Sequence, residues 1–446
     1  MPRMAAENCD GQLPVCQNCT RRRLNCQRPD KSLRFVIHTD QPPPEVGPSV
    51  GRNVESSLHL PESREQGTCD SLKQANELAF SVPRVALEST EITSLFRHYI
   101  DILAPWHDLN DSQRYFSTIV PVRAMDTSIL FRAIIAFSAF HWYRTTGKLQ
   151  NVATAFHGAC VIELLEVMNS SLEPSGDYLA STCLLRSYEI LNGDMSDQQR
   201  PLSAHTFSLT DNVNLSRWGL HQAPTWAYLR DEINIGLERR RPVGINTDFA
   251  SFKADDYVDD DMKANLMAYI LARIMNFCFQ DHLQAPTQET KISLWRDLRA
   301  DLTLWTHSLP ATFDPISTAP KPGNLFPSYW MLHPWHVSAL QHASTAEILL
   351  ALYDPSSPSD PTPHFAQRAA SDFIHKHVMR ICGLARTNDD GASRVNSFGP
   401  LSFCGRYLIG EDHREELETM LFNFELSSAW PVNPIVNDLR QAWAGN

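Results

Sequence analysis

Beyond Leu87 the apolar residues of this chain recur at three- and four-residue steps, the period of helices that bury one face. From Thr90 the run Ile92, Leu95, Phe96, Tyr99, Ile100 and Leu103 predicts a helix with Thr90 as N-cap and Pro105 as its stop. A second follows Asp126, with Ile129, Leu130, Ala133, Ile134, Phe137 and Phe140 on one side. Further helices are predicted over AFHGACVIELLEVMNSSL, DYLASTCLLRSYEILNG, PTWAYLRDEINIGLERR and MKANLMAYILARIMNFCF. Sustained apolar–polar alternation is absent and the turn signals are spaced for helices, so the fold class expected is all-α.

The pattern is different before Leu87. Residues 35–88 include QPPPEVGPSVGRNVESS, which carries Pro, Gly and Ser with no apolar period, and they read as a flexible linker. Within it SLKQANELAF has the makings of a helix of a few turns. The organisation expected is a small head over 1–34, a linker over 35–88 and a helical domain over 89–446.

Charge sharpens that division. The net charge is −12, yet Arg3, Arg21, Arg22, Arg23, Arg28, Lys31 and Arg34 against Glu7, Asp10 and Asp30 make the head +4 and leave −16 for the rest. Attraction to phosphate is therefore confined to the head. There Arg21, Arg22 and Arg23 are expected to neutralise a nucleic-acid backbone without reading its sequence, or to serve in nuclear import. No apolar run approaches the roughly 20 residues of a bilayer span, so no membrane association is expected.

The head also holds the densest chemistry. Four of the ten cysteines, Cys9, Cys16, Cys19 and Cys26, lie there at spacings C-x6-C-x2-C-x6-C. Such clustering serves a disulfide framework or a metal site. The N-terminal MPRMAAEN has no apolar core of a secretory signal, which favours metal. Four thiolates are the set that tetrahedral zinc takes in closed structural sites.

On these residues the head resembles the latter two-thirds of the fungal binuclear zinc cluster, in which six cysteines hold two zinc ions. Cys9 would stand for the third family cysteine and Cys16, Cys19 and Cys26 for the fourth to sixth; Asp10, Gly11 and Pro14 also match. The family's opening C-x2-C pair and basic run, which supply a bridging sulfur and the base-reading helix, have no counterpart in Met1 to Asn8. The cysteines present would close around one zinc at most. Three accounts stay open: an upstream exon missing from the gene model, a regulator that has given up direct DNA binding, and a one-zinc variant.

The long helical region resembles the regulatory domain of the same fungal transcription factors, through weak motifs in the expected order. They are WAYLRDEINIGLERRRPV, Trp305 with SLPATFDP, PWHVSALQHASTAEILLALYDP, ICGLARTN, PLSFCGRYL and AWPVNPIVNDLRQAW. The resemblance implies a nuclear, pathway-specific transcription regulator that binds DNA through zinc and meets coregulators through its helical domain. The alternative it leaves is a regulator acting by protein contact alone. Dimeric members carry a coiled coil after the cluster. No heptads stand here, so a homodimer is an expectation without a sequence signal. A largely apolar helical domain of this size can enclose a pocket, and a small-molecule effector is expected without a location.

Enzymatic chemistry is read from few residues. Asp255, Asp256 and Asp259 reproduce the DDxxD spacing that holds magnesium and diphosphate in all-α prenyl synthases. No second metal motif of that kind accompanies them, and a solvated acidic loop is the plainer expectation. His333, His336 and His342, and His375 with His377, are spaced for a metal but lack a matching Cys or carboxylate, so core or interface positions are expected. Arg230 and Asp231, between Trp226, Leu229 and Ile233, are expected to satisfy buried polar groups where helices cross. No phosphate loop, nucleophile elbow or HExxH is present, so no enzymatic activity is expected.

Overall fold

The computed structural model describes residues 63–169, 175–193, 219–245, 247, 258–280, 287–356 and 364–445. The chain divides into two units, Met1–Pro61 and Glu62–Asn446, and the described residues all belong to the second. They are helical, and their β structure amounts to one isolated bridge, Ser317 with Trp330. The all-α expectation holds.

The helical unit starts earlier than composition suggests. Helix α1, Ser63–Ala79, lies within the stretch read as linker, yet Ala75 and Ala79 are buried in the core. Arg132 fixes its end by donating Nε–H to the Ala79 carbonyl (2.8 Å), while its Nη1 meets Glu163 at 2.5 Å. Proline and serine counts averaged over 35–88 conceal this amphipathic stretch.

Helix α2, Thr90–His98, is capped by Ser89, whose hydroxyl accepts from Ile92 N, and not by Thr90. Nor does the helix stop at Pro105. It widens into a π-helical turn over Tyr99–Leu103 and resumes over Ala104–His107. Pro105 has no N–H to give to the preceding turn, and a widened turn just upstream accommodates its ring. His107 is thereby carried into the interior, and Trp106, partly buried, packs against the core.

The next helices, α3 (Ser128–Thr146), α4 (Gln150–Asn169) and α5 (Gly176–Asn192), form one packed group. Helix α3 is at its centre and is buried on several faces, from Ile129 through His141, as a helix apolar all round must be. Gly147, at φ +75°, ends it in the left-handed turn that a side chain would disfavour.

The second group is built on α9 (Pro334–Leu352), against which α7 (Asp260–Phe279), α10 (His364–Thr387) and α11 (Gly391–Cys404) pack; α8 (Gln288–His307) lies on α7. Helices α12 (Glu411–Ser428) and α13 (Asn433–Ala444) close the end of the chain. Helix α6, Gln222–Arg239, joins the groups by touching α5, α7 and α11. Its contact with α11 is a backbone approach. Gly399 N donates to Asn234 Oδ1 at 3.2 Å, and a Cβ on Gly399 would meet Asn234 Cα at 2.6 Å.

Candidate functional site

Where α5, α6, α11 and the Ala104–His107 turn converge, polar side chains gather inside the apolar body. Arg230, 4% exposed, donates from Nη2 to the His107 carbonyl at 2.6 Å and from Nη1 to Asn265 Oδ1 at 3.3 Å. Asn265 in turn donates to the Asn110 carbonyl at 3.0 Å. Burial lowers the affinity of the Arg230 guanidinium for its proton, and the nearby carboxyls of Asp231, Asp111 and Asp108 oppose that effect. Asp108 and Asp111 are held by backbone donors of the following turn. Asp108 accepts from Phe116 N and Ser117 N, each at 2.8 Å, and Asp111 from Gln113, Arg114 and Tyr115.

Glu232 sits fully buried beside them with its own partners. Arg241 meets it at 3.2 Å, Arg186 at 3.5 Å, and Gly244 N donates to it at 2.7 Å. This arrangement accounts for the exit of α6. Arg240 adopts φ 52°, ψ 51°, which turns the chain sharply so that Arg241 can fold back on Glu232.

Asp231 differs from its neighbours in that no hydrogen bond to it is found among the described residues. Its Oδ2 is sealed, while the residue as a whole forms part of a crevice wall. The crevice, about 430 Å³ with the open solvent at its mouth included, lies between Trp106, His107, Ser187, Arg230, Asn234, Asn396 and Trp430, among others. Only about one or two waters' worth of it stands clear of the walls. Burial pushes the Asp231 carboxyl up to about 7, against the pull of Arg230 and Arg186. The sequence-based expectation is thus met by Arg230, which ties a helix crossing together, and not by Asp231.

The remaining walls are held by contacts of their own. His107 stacks on Phe116 and shares a 3.0 Å hydrogen bond between Nε2 and Ser187 Oγ; burial, then Arg230, push it down to about 3, so it stays neutral. Asn396 donates to Ser338 Oγ at 3.3 Å and lies 3.4 Å from His342 Nε2. Trp430 stacks on Phe398 with ring centroids 5.0 Å apart, leaving its buried Nε1–H without a partner. Sequence reasoning picked out Arg230, Asp231 and His342 but not Trp106, His107, Asn234, Asn396 or Trp430. The signal was there in Asn234 and Asn396, polar residues on helices otherwise apolar at those positions.

Other predicted residues have different fates. Cys9, Cys16, Cys19, Cys26, Arg21, Arg22 and Arg23 lie outside the described residues, as do Asp255 and Asp256. Asp259 precedes α7, Asp260 bonds His336 Nε2 at 3.0 Å, and Asp261 accepts from Ser112 N at 3.0 Å. His336 and His342 are buried, and His333 stacks on Trp335. Burial lowers His375 and brings His377 down to about 4. Among the described residues no three His, Cys, Asp or Glu side chains are grouped to hold a metal, and no helix is long and apolar enough to cross a membrane.

Residues 94–216 match the family described as the fungal specific transcription factor domain. A transcription activator of Alternaria alternata, AMTR1, is 22% identical over 222 residues, which are 44% of this chain and 28% of that protein. The chain therefore covers little more than a quarter of that relative. No solved structure matches the chain. The matched stretch contains the Trp106–His107 and Ser187 walls of the crevice, while Arg230, Asp231, Asn234, Asn396 and Trp430 come from beyond it.

Proposed function

We propose that this chain is a fungal transcription regulator whose helical body receives the regulatory signal and whose cysteine-rich head attaches it to DNA. The observation that carries this reading is the match of 94–216 to a fungal transcription factor domain, and the similarity to a protein named as a transcription activator agrees with it. The head contributes Cys9, Cys16, Cys19 and Cys26 as ligands for one zinc ion, with Arg21, Arg22 and Arg23 on the phosphates. It acts in the nucleus, on the genes of one pathway, with coregulators as protein partners and without catalytic activity.

A second reading keeps the regulator but not the DNA. It is favoured by the −16 carried after residue 34, which makes the body repel phosphate and leaves a small head to do all the binding. Zinc analysis of the purified full chain, with DNA affinity measured across a salt series, separates the two. Bound zinc that is lost in Cys16→Ala, together with affinity falling linearly in log salt, supports the DNA-binding regulator. A zinc-free chain indifferent to DNA at low salt leaves the contact-only regulator.

A further inference from the structure

We propose that the crevice at Asp231 is a binding site for a small cationic nitrogen compound, an amine or amidine whose N–H groups are received by the Asp231 carboxylate. The inference rests on reading the helical body as the part of a regulator that receives a signal, and it gives that signal a chemistry and a place.

Four observations lead to it. First, every other acidic group of the cluster has donors. Asp108 and Asp111 have backbone amides and Glu232 has Arg186, Arg241 and Gly244 N, whereas Asp231 Oδ2 is buried without a donor among the described residues. A buried acceptor without a donor costs free energy that a bound donor returns. Second, Asp231 forms part of the crevice wall, so a donor that enters the crevice meets this residue.

Third, the acceptor on the wall is available and the cation on the wall is not. The titratable groups that line the crevice are His107, Arg230 and Asp231, and behind them lie Asp108 and Asp111 on the turn after α2, Arg186 and Glu189 on α5, Glu232 on α6, Arg241 after it and His342 on α9. Both histidines are held neutral by burial, so the charged groups on the wall itself are Arg230 and Asp231. Arg230 is engaged by His107 and Asn265, Arg186 by Glu189 and Glu232, and Arg241 by Glu232, while Arg186 Nε and Arg241 Nε are buried without a partner among the described residues. Among the described residues none of the three donates a hydrogen bond to Asp231, although Arg230 and Arg186 lie close enough to pull on its charge.

Fourth, the walls suit such a ligand in size and character. The clear space takes a head group the size of a water or two, and Leu109, Val395 and the Trp106 and Trp430 rings offer apolar and aromatic surface around it. The site bridges the family-matched helices and those that follow, so an occupant would tie α5 and α6 to α11.

The test titrates methylammonium, acetamidinium and benzamidinium chlorides into the purified full chain, with sodium chloride as the ionic control. Tryptophan fluorescence and thermal midpoint are read at pH 6 and pH 8. At least one probe is expected to give a saturable fluorescence change and a raised midpoint beyond the salt control. Its affinity should be greater at pH 8, where Asp231 is ionised, and weaker by roughly tenfold or more in Asp231→Asn. No saturable response to any probe in the wild-type chain overturns the proposal. So does binding that is equal at both pH values, a readout that needs no variant to fold, and so does equal binding by Asp231→Asn. Zinc and DNA take no part in the assay, so its failure leaves the regulator reading standing, and a chain that proves to bind neither leaves the crevice result intact.

Discussion

Across 123 residues of sequence, the Arg230 guanidinium donates a 2.6 Å hydrogen bond to the main-chain carbonyl of His107. That bond ties the middle of α6 to the turn that ends the π-widened helix. A backbone carbonyl is a demanding acceptor to leave bare inside a protein, because it cannot rotate away to find another donor.

Arg230→Ala would leave the His107 carbonyl and Asn265 Oδ1 without their donor and would open a cavity among Asp108, Asp111 and Asp231. The expected loss is about 3–5 kcal/mol of unfolding free energy, the range for removing one partner from a buried charged network. Urea titration followed by circular dichroism measures it. Arg230→Lys should recover only part, since one ammonium cannot reach both acceptors in the fork geometry of a guanidinium. An alanine variant within about 1 kcal/mol of wild type would mean the network carries little.

The α6–α11 junction offers a cleaner steric test. A methyl group at Gly399 would meet the Asn234 backbone at 2.6 Å, a contact no side-chain rotation relieves. Gly399→Ala should therefore lower stability by about 1–3 kcal/mol through forced separation of the helices. It should also weaken the Gly399 N to Asn234 Oδ1 bond. Thermal unfolding reads the first effect and amide exchange at Gly399 the second; an unchanged midpoint would show that the helices part easily.

Much of the helical order could be read from the chain, because apolar steps of three and four residues run through α2 and α3, and α3 ends at Gly147. The exceptions have local causes. Pro105 looks like a stop until the π-turn before it is known, and Ala75 and Ala79 are too small to mark α1 as core. The crevice was harder to foresee. His107, Arg230, Asn396 and Trp430 are far apart in sequence and meet only through packing. Asp231 reads in the sequence like any polar residue beside an arginine, and its lack of a hydrogen bond is a property of three dimensions alone.

The pH dependence of stability follows from groups whose proton affinity folding changes. His107 and His342 are pushed down to about 3 and His141 to about 4, below the ordinary histidine value near 6.5. In the unfolded chain they take protons as pH falls below about 6.5, and in the folded chain they do not, so stability is lost towards acid. Asp231 and Glu238 are pushed up to about 7 and Asp108 to about 6. These stay protonated in the folded chain after the unfolded chain has released the proton near pH 4, so their contribution is lost as pH rises towards 7. The opposing trends place maximal stability near pH 6. Asp231→Asn removes one acidic group from the balance, so its stability relative to wild type should improve as pH rises from 4 to 7, by up to about 1.4 kcal/mol per pH unit. Urea midpoints over that range decide it; parallel curves would show that Asp231 does not change its proton affinity on folding.

Thiol chemistry separates the head from the body. Cys160, Cys183, Cys278, Cys382 and Cys404 are free and buried, and burial pushes each of their thiols up, away from the reactive thiolate. In a Cys69→Ser background that leaves the four head cysteines as the other class. If these hold zinc, a disulfide reagent at neutral pH should find almost no thiol in the native chain, because metal-bound sulfur is shielded. Adding a chelator should then release Cys9, Cys16, Cys19 and Cys26 together, with zinc appearing in step, and only denaturant should expose the other five. Immediate reaction of the head cysteines without chelator would remove zinc from the proposed mechanism. Reaction of the body thiols before denaturation would instead show that the helices around α3, α9 and α11 open far more readily than their burial implies.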